Sequence, residues 1–226
     1  PINEGFQSNN LPNSWSIMNN DGNTTWEITN TTGYNSNSCI YINNADYAAN
    51  GEYDDLILPV LDLTILNSGY LSFDYAYCLW TDPNAAQIWS DTLQVIISND
   101  CGNSWQKLWE KAGAALVTTT PVFNAFSWTP NNINDWKSEI INLSNYINDD
   151  DVVIKFRNVN QYENNLFLDN INIGNSTTNI NNISLSNKRL IKITDILGRE
   201  VINKTKHTPL FYIYDDGSVD KILLWE

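Results

Sequence analysis

The chain has 226 residues, a length that fits one sizeable β-sandwich with a small additional unit. Hydrophobic residues make up 42% of the sequence and aromatic residues 12%, so a buried core can form and disorder throughout is not expected. The net charge of −14 repels a phosphate backbone, which argues against nucleic-acid binding and favours cations as partners.

No membrane span is expected. The longest apolar stretch, residues 56–66, contains Pro59 and Asp62 and is much shorter than the ~20 residues that cross a bilayer. No charged and then apolar leader precedes Pro1, which indicates either that a signal peptide has been removed or that the sequence is a piece of a longer chain. Of these two interpretations we expect the second.

Strand and turn patterns follow one another along most of the chain. Residues 71–77 and 93–97 alternate between large apolar and smaller or polar side chains, a period-two pattern typical of strands. Further strand candidates are 40–42, 56–61, 105–110, 138–143, 152–158 and 166–173. Segments rich in Asn, Asp, Gly and Pro separate them, and the one helical turn that we expect lies near 143–147.

The pattern predicts an all-β protein, a two-sheet antiparallel β-sandwich or jelly roll, with a small C-terminal β unit. We place the sandwich at residues 1–174. Residues 175–188 are polar and low in complexity, which is typical of a linker. Residues 189–226 contain strand-like runs at 190–194, 200–202, 210–214 and 219–225, with a hairpin turn predicted at Asp216-Gly217.

The C-terminal unit carries a long motif. The run Leu190-Ile-Lys-Ile-Thr-Asp-Ile-Leu-Gly-Arg-Glu, followed by Tyr214-Asp-Asp-Gly and a lysine near the end, closely resembles the C-terminal sorting signal of type IX secretion substrates in Bacteroidota. The residues that carry this resemblance are Asp195, Leu197, Gly198, Arg199, Tyr214, Asp215, Asp216, Gly217 and Lys221.

This resemblance implies transport through the periplasm and across the outer membrane by the type IX secretion machinery, and a secreted or cell-surface location. In that family the signal is commonly cleaved after transport, and the cargo is then released or anchored. The alternative is an ordinary small β-domain with no role in transport.

The first 174 residues resemble the MAM-like and cleaved-adhesin jelly-roll modules, also called choice-of-anchor domains. Seven segments carry the resemblance: Asn13–Trp15, Asn20–Trp26, Tyr53–Pro59, Leu71–Tyr77, Ser90–Val95, Asp100–Trp105 and Asn164–Ile173. The resemblance implies a non-catalytic adhesion or binding module, often found behind a secreted zinc metalloprotease, whose catalytic domain would be absent from this sequence.

Catalytic motifs are not apparent in the sequence. His207 is the only histidine, so the paired histidines of a zincin helix cannot form, and serine and cysteine hydrolases usually need a histidine base as well. No spacing singles out two carboxylates for a glycosidase. We expect a module that binds a protein or glycan surface; the alternatives are a spacer without a ligand and a carbohydrate-binding module of a secreted hydrolase.

Calcium is the expected cofactor because its preferred ligands are hard oxygens. Strict alternation through residues 166–173 places Asp169 on the same face as Phe167 and Ile171. If that face is the core, the Asp169 carboxylate must be compensated by a metal, a cation or hydrogen-bond donors. The alternative interpretation is that Asp169 caps a loop through backbone amides.

The resemblance also implies a structural Ca²⁺ that joins the first strand, a loop and the last strand. The implied ligands are Glu4, Asp55 and Asp169, with Asp21, Asp54 and Asp91 in reserve.

Three cysteines allow at most one internal disulfide. The contexts of Cys39 and Cys101 tend to carry cysteine together in the modules that this chain resembles, so the resemblance implies that these two pair. Cys78 continues a strand and is expected to be a buried free thiol. The alternative is that all three thiols are free.

Nine tryptophans suggest a surface on which indole faces stack against sugar rings. Trp80, Trp89, Trp128 and Trp136 lie in polar, loop-like surroundings and are the candidates for ligand binding. The tryptophans that match core or rim positions of the resembling modules are Trp15, Trp26, Trp105 and Trp109. For any of these side chains, packing in the core is the alternative, because aromatic residues dominate the cores of sandwiches.

Overall fold

The computed structural model describes residues 2–82, 84, 89–175, 190–195, 199, 201, 209–214 and 219–223. The chain divides into two compact units, residues 1–179 and 180–226, and each is described by itself. Within the described ranges, no helix has the length and apolarity that crossing a membrane would require.

The first unit is an antiparallel β-sandwich, which confirms the predicted fold class. Its strands are β1 (Ile2–Glu4), β2 (Ser16–Asn19), β3 (Glu27–Thr29), β4 (Cys39–Ile42), β5 (Tyr53–Ile57), β6 (Tyr70–Ala76), β7 (Thr92–Ser98), β8 (Gln106–Ala112), β9 (Trp136–Asn142), β10 (Val153–Val159) and β11 (Leu166–Gly174). The first sheet has the order β3-β4-β11-β6-β9, with β1 also paired to β11, and the second has the order β2-β5-β10-β7-β8.

Helical structure in this unit is short. A four-residue helix, α1 (Gly113–Leu116), follows β8. Three 3₁₀ turns lie at Asn44–Asp46, Ile133–Asp135 and Ser144–Tyr146. The last of them falls within the helical turn predicted at residues 143–147.

The core lies between the two sheets and follows the predicted alternation. Leu71, Phe73 and Tyr75 on β6 and Leu93 and Val95 on β7 are buried in one continuous hydrophobic cluster. Burying a large apolar side chain contributes roughly 1.5–3 kcal/mol each, so period-two placement of these residues is what holds the sheets together.

A β-bulge in β11 changes which side chains face the core. Leu168 belongs to the core between the sheets, whereas Phe167 packs in a second cluster on the outer face of the first sheet. The register with β6 then shifts between Asp169 and Asn172, and Asn170 has a φ of 47°. The extra residue returns Ile171 to the core. Strict alternation was therefore wrong here, because Asp169 does not share a face with Ile171.

Five connections meet at one end of the sandwich, which we call the loop end. They are residues 20–26, 43–52, the described part of 77–91 (77–82, 84 and 89–91), 113–135 and 160–165. The pairing of the adjoining strand ends places them together, since Ala76 lies opposite both Trp136 and Phe167, and Val159 lies opposite Thr92 and Tyr53.

The second unit contains an antiparallel sheet of β12 (Leu190–Thr194), β13 (Pro209–Tyr214) and β14 (Val219–Leu223), in that order. Leu210, Tyr212 and Thr194 are buried in it. Of the predicted run at 200–202, only Val201 is described; it lies outside any strand and donates its N–H to the Ile193 carbonyl at 2.8 Å.

Candidate binding surface

Three aromatic side chains form an exposed cluster at the loop end, which we call the aromatic patch. Trp80, Phe126 and Tyr162 are 41%, 40% and 36% exposed. The Trp80 and Phe126 ring centroids are 5.0 Å apart and those of Phe126 and Tyr162 are 6.2 Å apart, with the rings steeply inclined to each other. Each residue comes from a different connection, so the patch is assembled by the fold and not by one segment.

A buried carboxylate fixes the loop that presents Trp80. Glu163, which has no exposed surface, accepts a hydrogen bond from the Trp80 backbone N–H at 2.6 Å. It also accepts hydrogen bonds from the N–H of Thr81 and from the Thr81 hydroxyl. Because an ionised carboxylate binds backbone amides strongly, the backbone that carries Trp80 is held in one place.

Tyr162 is held in a left-handed backbone conformation, with a φ of 58°. Such a conformation is uncommon for a bulky side chain and costs of order 1–2 kcal/mol. The buried side chain of Asn160 imposes it: its Oδ1 accepts the Tyr162 N–H at 3.0 Å, and its Nδ2 donates to the Tyr47 and Ala49 carbonyls. Strained residues concentrate at functional sites, so this geometry is consistent with a binding role for the patch.

Asp91 lies buried beneath the loops of the patch. Its carboxylate accepts hydrogen bonds from the Gln161 N–H at 2.6 Å and from the Tyr77 hydroxyl at 3.2 Å. Burial, only partly offset by these donors and reinforced by the negative Glu163 nearby, raises the pKa of Asp91 to about 7. The charge of the Asp91 carboxyl beneath the patch therefore changes near neutral pH.

The structure separates the four tryptophans predicted to bind a ligand. Trp80 lies in the aromatic patch, and Trp89 is half-buried. The prediction was wrong for Trp128 and Trp136, which are buried on the outer face of the first sheet. Both pack against Phe167, with ring centroids 6.1 and 6.4 Å away, because residues 113–135 fold back over that face.

The implied calcium ligands do not form one cluster. Among the described residues, which include all six, no three acidic, histidine or cysteine side chains are arranged to hold a metal. Asp55 lies on the outer face of the second sheet, where Lys155 and Arg157 neutralise it at 2.8 and 2.6 Å. The set of Glu4, Asp55 and Asp169 is therefore corrected: Asp55 has its own cations and is not available to a metal.

Glu4 and Asp169 each have partners from the protein. The Glu4 carboxylate accepts the Phe6 N–H at 2.5 Å. Asp169 is buried under residues 33–38 and accepts the backbone N–H groups of Tyr34 and Asn170 at 2.8 and 2.7 Å. These contacts match the interpretation that Asp169 caps a loop through backbone amides. Burial still raises its pKa to about 7, since these amides only partly offset it.

All three cysteines are free thiols. The implied bridge between Cys39 and Cys101 is therefore wrong. Cys39 is buried on the outer face of the first sheet, whereas Cys101 is exposed in the turn between two strands of the second sheet. The expectation for Cys78, a buried free thiol, is confirmed, and burial raises its pKa to about 12.

In the second unit, Asp195 and Arg199, at the start of the predicted sorting motif, form hydrogen bonds with each other. Arg199 donates to the Asp195 carboxylate through its side chain at 2.7 Å and its backbone N–H at 3.0 Å. The Asp195 N–H donates to the Arg199 carbonyl at 2.9 Å. The other residues of the motif, Leu197, Gly198, Asp215, Asp216 and Gly217, lie outside the described residues, as do the side chains of Tyr214 and Lys221.

A separate groove of about 670 Å³ runs between residues 31–37 and 129–133. Its lining consists of Thr, Asn, Ser, Gly and Pro residues together with Ile133. The groove lacks the aromatic side chains that give ligand-binding surfaces most of their affinity, so the aromatic patch is the stronger candidate.

Sequence reasoning missed Phe126, Tyr162 and Glu163. None of them belongs to a local pattern, since Phe126 and Glu163 contact Trp80 from 46 and 83 positions further along the chain. The dipeptide Tyr162-Glu163 in a connection between two strands was the one available signal.

Comparison with known proteins supports the fold of the first unit. No protein-family model matches the chain, and no curated protein gives a significant match. Among solved structures, the K1 cleaved adhesin domain of Lys-gingipain from Porphyromonas gingivalis W83 matches with 25% identity and a TM-score of 0.53, over 77% of this chain and 98% of that domain.

Two further domains of the same protein match in the same way. The K3 cleaved adhesin domain has 22% identity and a TM-score of 0.52, over 77% of this chain and 98% of that domain. The K2 domain has 16% identity and a TM-score of 0.51, over 75% and 96%. The first unit is thus a jelly-roll sandwich similar in fold to the cleaved adhesin domains of Lys-gingipain.

Proposed function

We propose that the sandwich is a non-catalytic, extracellular binding module that contacts its ligand through the aromatic patch. The observation that carries this proposal is the cluster of three exposed aromatic side chains. Clustered apolar groups at a folded surface mark interaction sites. The similarity to adhesin domains supports a binding role over a catalytic one.

The ligand that fits best is a neutral or positively charged group on a glycan or protein surface. The face of Trp80 offers stacking area for a sugar ring or an apolar side chain. Glu163 and Asp91 lie behind the patch, and the whole chain carries a net charge of −14, so a polyanion would be repelled.

The second part of the proposal concerns export. We propose that residues 189–226 act as a type IX sorting signal, supported by the motif from Asp195 to Lys221 and by the contacts between Asp195 and Arg199 within it. The cargo would pass through the periplasm and the outer membrane, as part of a longer secreted protein whose catalytic domain, a zinc metalloprotease, would lie upstream.

An array of glycans and surface proteins probed with the full chain tests the binding proposal. Reproducible micromolar binding to particular ligands supports it. A blank array supports the alternative, a spacer without a ligand.

Deletion of residues 189–226 tests the export proposal in a type IX-competent host. The truncated protein should accumulate in the periplasm, and Arg199→Ala, which removes the side-chain contact with Asp195, should reduce export. Undiminished export of the truncated chain would contradict the assignment.

A further inference from the structure

The connections of the loop end carry acidic residues and no basic ones. In sequence, none of the five connections contains a lysine, an arginine or a histidine. Their acidic residues are Asp21, Asp46, Glu52, Asp82, Asp91, Asp135 and Glu163. Charge of one sign concentrated at one end of a molecule attracts the opposite sign, so the loop end favours a cationic partner.

The basic residues of the sandwich already have partners elsewhere. Residues 1–174 contain five of them, all on β8, β9 and β10. Each one contacts a carboxylate or a carbonyl group: Lys107 with Glu110, Lys111 with Glu139, Lys137 with the Val117 carbonyl, and Lys155 and Arg157 with Asp55. These contacts leave the negative charge of the loop end unbalanced.

Aromatic rings on the second sheet have cations over their faces, and the rings of the aromatic patch do not. The Arg157 guanidinium carbon lies 3.8 Å from the centroid of the Tyr53 ring, and the Lys155 ammonium lies 4.0 Å from that of Trp105. Among the described residues, no lysine or arginine side chain lies over the three rings of the patch. The negative faces of these rings are therefore available to a cation from a partner.

The apolar surface extends beyond the three rings. Val122 and Phe123 are 41% and 39% exposed. Their segment is tied to Leu79, the residue before Trp80, because the Leu79 N–H donates to the Val122 carbonyl at 3.1 Å and the Asn124 N–H donates to the Leu79 carbonyl at 2.8 Å. A sugar needs placed hydrogen-bonding groups around its stacking ring, whereas apolar side chains flank this one. Aromatic and apolar groups that continue across a surface are typical of protein interfaces.

Two exposed carboxylates lie close in the chain to the residues of the patch. Asp82 follows Trp80 by two positions. The Glu52 carbonyl accepts the N–H of Asn160 at 2.9 Å, and Asn160 precedes Tyr162 by two positions. Negative charge therefore accompanies the patch on the connections that present Trp80 and Tyr162.

We propose that the aromatic patch receives an arginine side chain from a protein partner, with the guanidinium over the ring faces and the acidic residues of the loop end around it. Arginine fits better than lysine, because its planar guanidinium is weakly hydrated and stacks on aromatic faces. It is also enriched among the residues that dominate binding at protein interfaces. The assignment rests on the proposed binding role of the patch and narrows its ligand to a basic protein surface.

The test is a calorimetric titration of the full chain with a glycine-spaced arginine peptide and with the same peptide carrying citrulline or lysine. Citrulline keeps the shape of arginine but replaces the guanidinium by a neutral urea group. We expect a sub-millimolar Kd for the arginine peptide, binding at least about tenfold weaker for the citrulline peptide, and binding several-fold weaker for the lysine peptide. Trp80→Ala should weaken binding of the arginine peptide about tenfold. Trp105→Ala should not change it, because Lys155 already lies over that ring.

Two aspartate variants distinguish a local effect of charge from a general one. Asp82→Asn removes a charge beside Trp80 and should weaken binding of the arginine peptide several-fold. Asp62→Asn is the matched control, an exposed aspartate in the connection between β5 and β6 at the opposite end of the sandwich. Each aspartate caps the N–H two positions further on, at 2.8 Å to Asn84 and 2.9 Å to Thr64, and asparagine can still accept this hydrogen bond. Asp62→Asn should leave binding unchanged.

The arginine assignment is overturned if the arginine peptide does not bind, if the citrulline or lysine peptide binds equally well, or if Trp80→Ala or Asp82→Asn binds as wild type does. A neutral glycan that binds through Trp80 while the arginine peptide fails would overturn this assignment alone and leave the binding role of the patch intact. A blank array of glycans and proteins together with a failed peptide titration would contradict both.

Discussion

At the scale of single residues, the loop end combines strain, burial and charge. Tyr162 has an unfavourable backbone conformation, Asp91 is a buried carboxylate with two hydrogen-bond donors, and Asp55 is a buried carboxylate with two cations. For each of these residues, a substitution should change the free energy of unfolding by a predictable amount.

Replacing Tyr162 separates the backbone from the side chain. Tyr162→Gly relieves backbone strain of about 1–2 kcal/mol in the folded state. It also raises the conformational entropy of the unfolded chain, which costs about 0.5–1 kcal/mol of stability. The free energy of unfolding should therefore stay within about 1 kcal/mol of wild type. Tyr162→Ala keeps the strain and should be the less stable of the two in urea denaturation. Equal stability of the two variants would show that the left-handed backbone costs nothing.

The raised pKa of Asp91 predicts that the free energy of unfolding depends on pH. Its pKa is about 7 in the folded chain and ~3.9 when unfolded, so the folded state binds more protons between these values. The contribution of Asp91 to stability is fully present below pH ~4 and is lost as the pH rises through about 7.

We expect the free energy of unfolding in EDTA to fall between pH 5 and pH 8, with Asp91 contributing on the order of 1–3 kcal/mol. Urea denaturation across this range measures the slope. Asp91→Asn should flatten it in proportion. A slope that is the same in wild type and variant would contradict the raised pKa.

Asp55 is held by a bidentate Arg157 and by a buried Lys155. Asp55→Ala leaves these two cations without a carboxylate partner and should cost about 3–5 kcal/mol. The comparison is Lys107→Ala, which breaks an exposed ion pair with Glu110 and should cost less than ~1 kcal/mol. Similar small losses in both variants, measured by urea denaturation, would mean that the Asp55 contacts do little for stability.

At the scale of elements, the bulge in β11 decides where Asp169 points. Asn170 occupies the left-handed position at the bulge, and its side chain donates to Asp74 at 2.8 Å. Asn170→Gly loses this hydrogen bond but keeps the backbone conformation, which glycine adopts freely, so it should cost about 1–2 kcal/mol. Asn170→Val should cost more than about 2 kcal/mol, since a β-branched residue tolerates it badly. Equal urea midpoints for the two would argue against the bulge.

The sequence predicted the strands of seven or more residues well and did not predict the three short strands β1, β2 and β3. Residues 71–77 and 93–97 alternate cleanly because one side of each strand faces the core, and they became β6 and β7. β1, β2 and β3 are only three or four residues long, too short for a period to register. The sequence also did not reveal the bulge in β11, because one inserted residue shifts the phase of the apolar alternation without changing the composition of the strand.

At the scale of the whole molecule, burial depends on contacts between segments far apart in sequence. Trp128 and Trp136 lie among polar neighbours in sequence, yet the 113–135 connection folds over the first sheet and buries both. Trp80 has similar polar neighbours and remains exposed. Local context could not distinguish these cases, so the sequence predicted one member of the patch and missed Phe126 and Tyr162.

The loop end also explains why the implied metal set failed while two reserve residues came together. Asp21 and Asp54 are adjacent because β2 pairs with β5, which brings the turn after β2 onto the start of β5. Asp55, one position further along, points to the opposite face of the sheet. Alternation along β5 separates these neighbouring carboxylates, whereas the pairing of β2 with β5, which the sequence alone leaves undetermined, brings Asp21 to Asp54.

The central claim is that the aromatic patch binds the ligand, and the most direct test compares two tryptophans of nearly equal exposure. Trp80 is 41% exposed in the patch, and Trp105 is 39% exposed immediately before β8, beside Lys155. Wild type, Trp80→Ala and Trp105→Ala should be probed in parallel on the same array of glycans and proteins. Trp80→Ala should lose at least tenfold in affinity, or about 1.4 kcal/mol, while Trp105→Ala should bind as wild type does. Binding that survives Trp80→Ala but is lost in Trp105→Ala would contradict it.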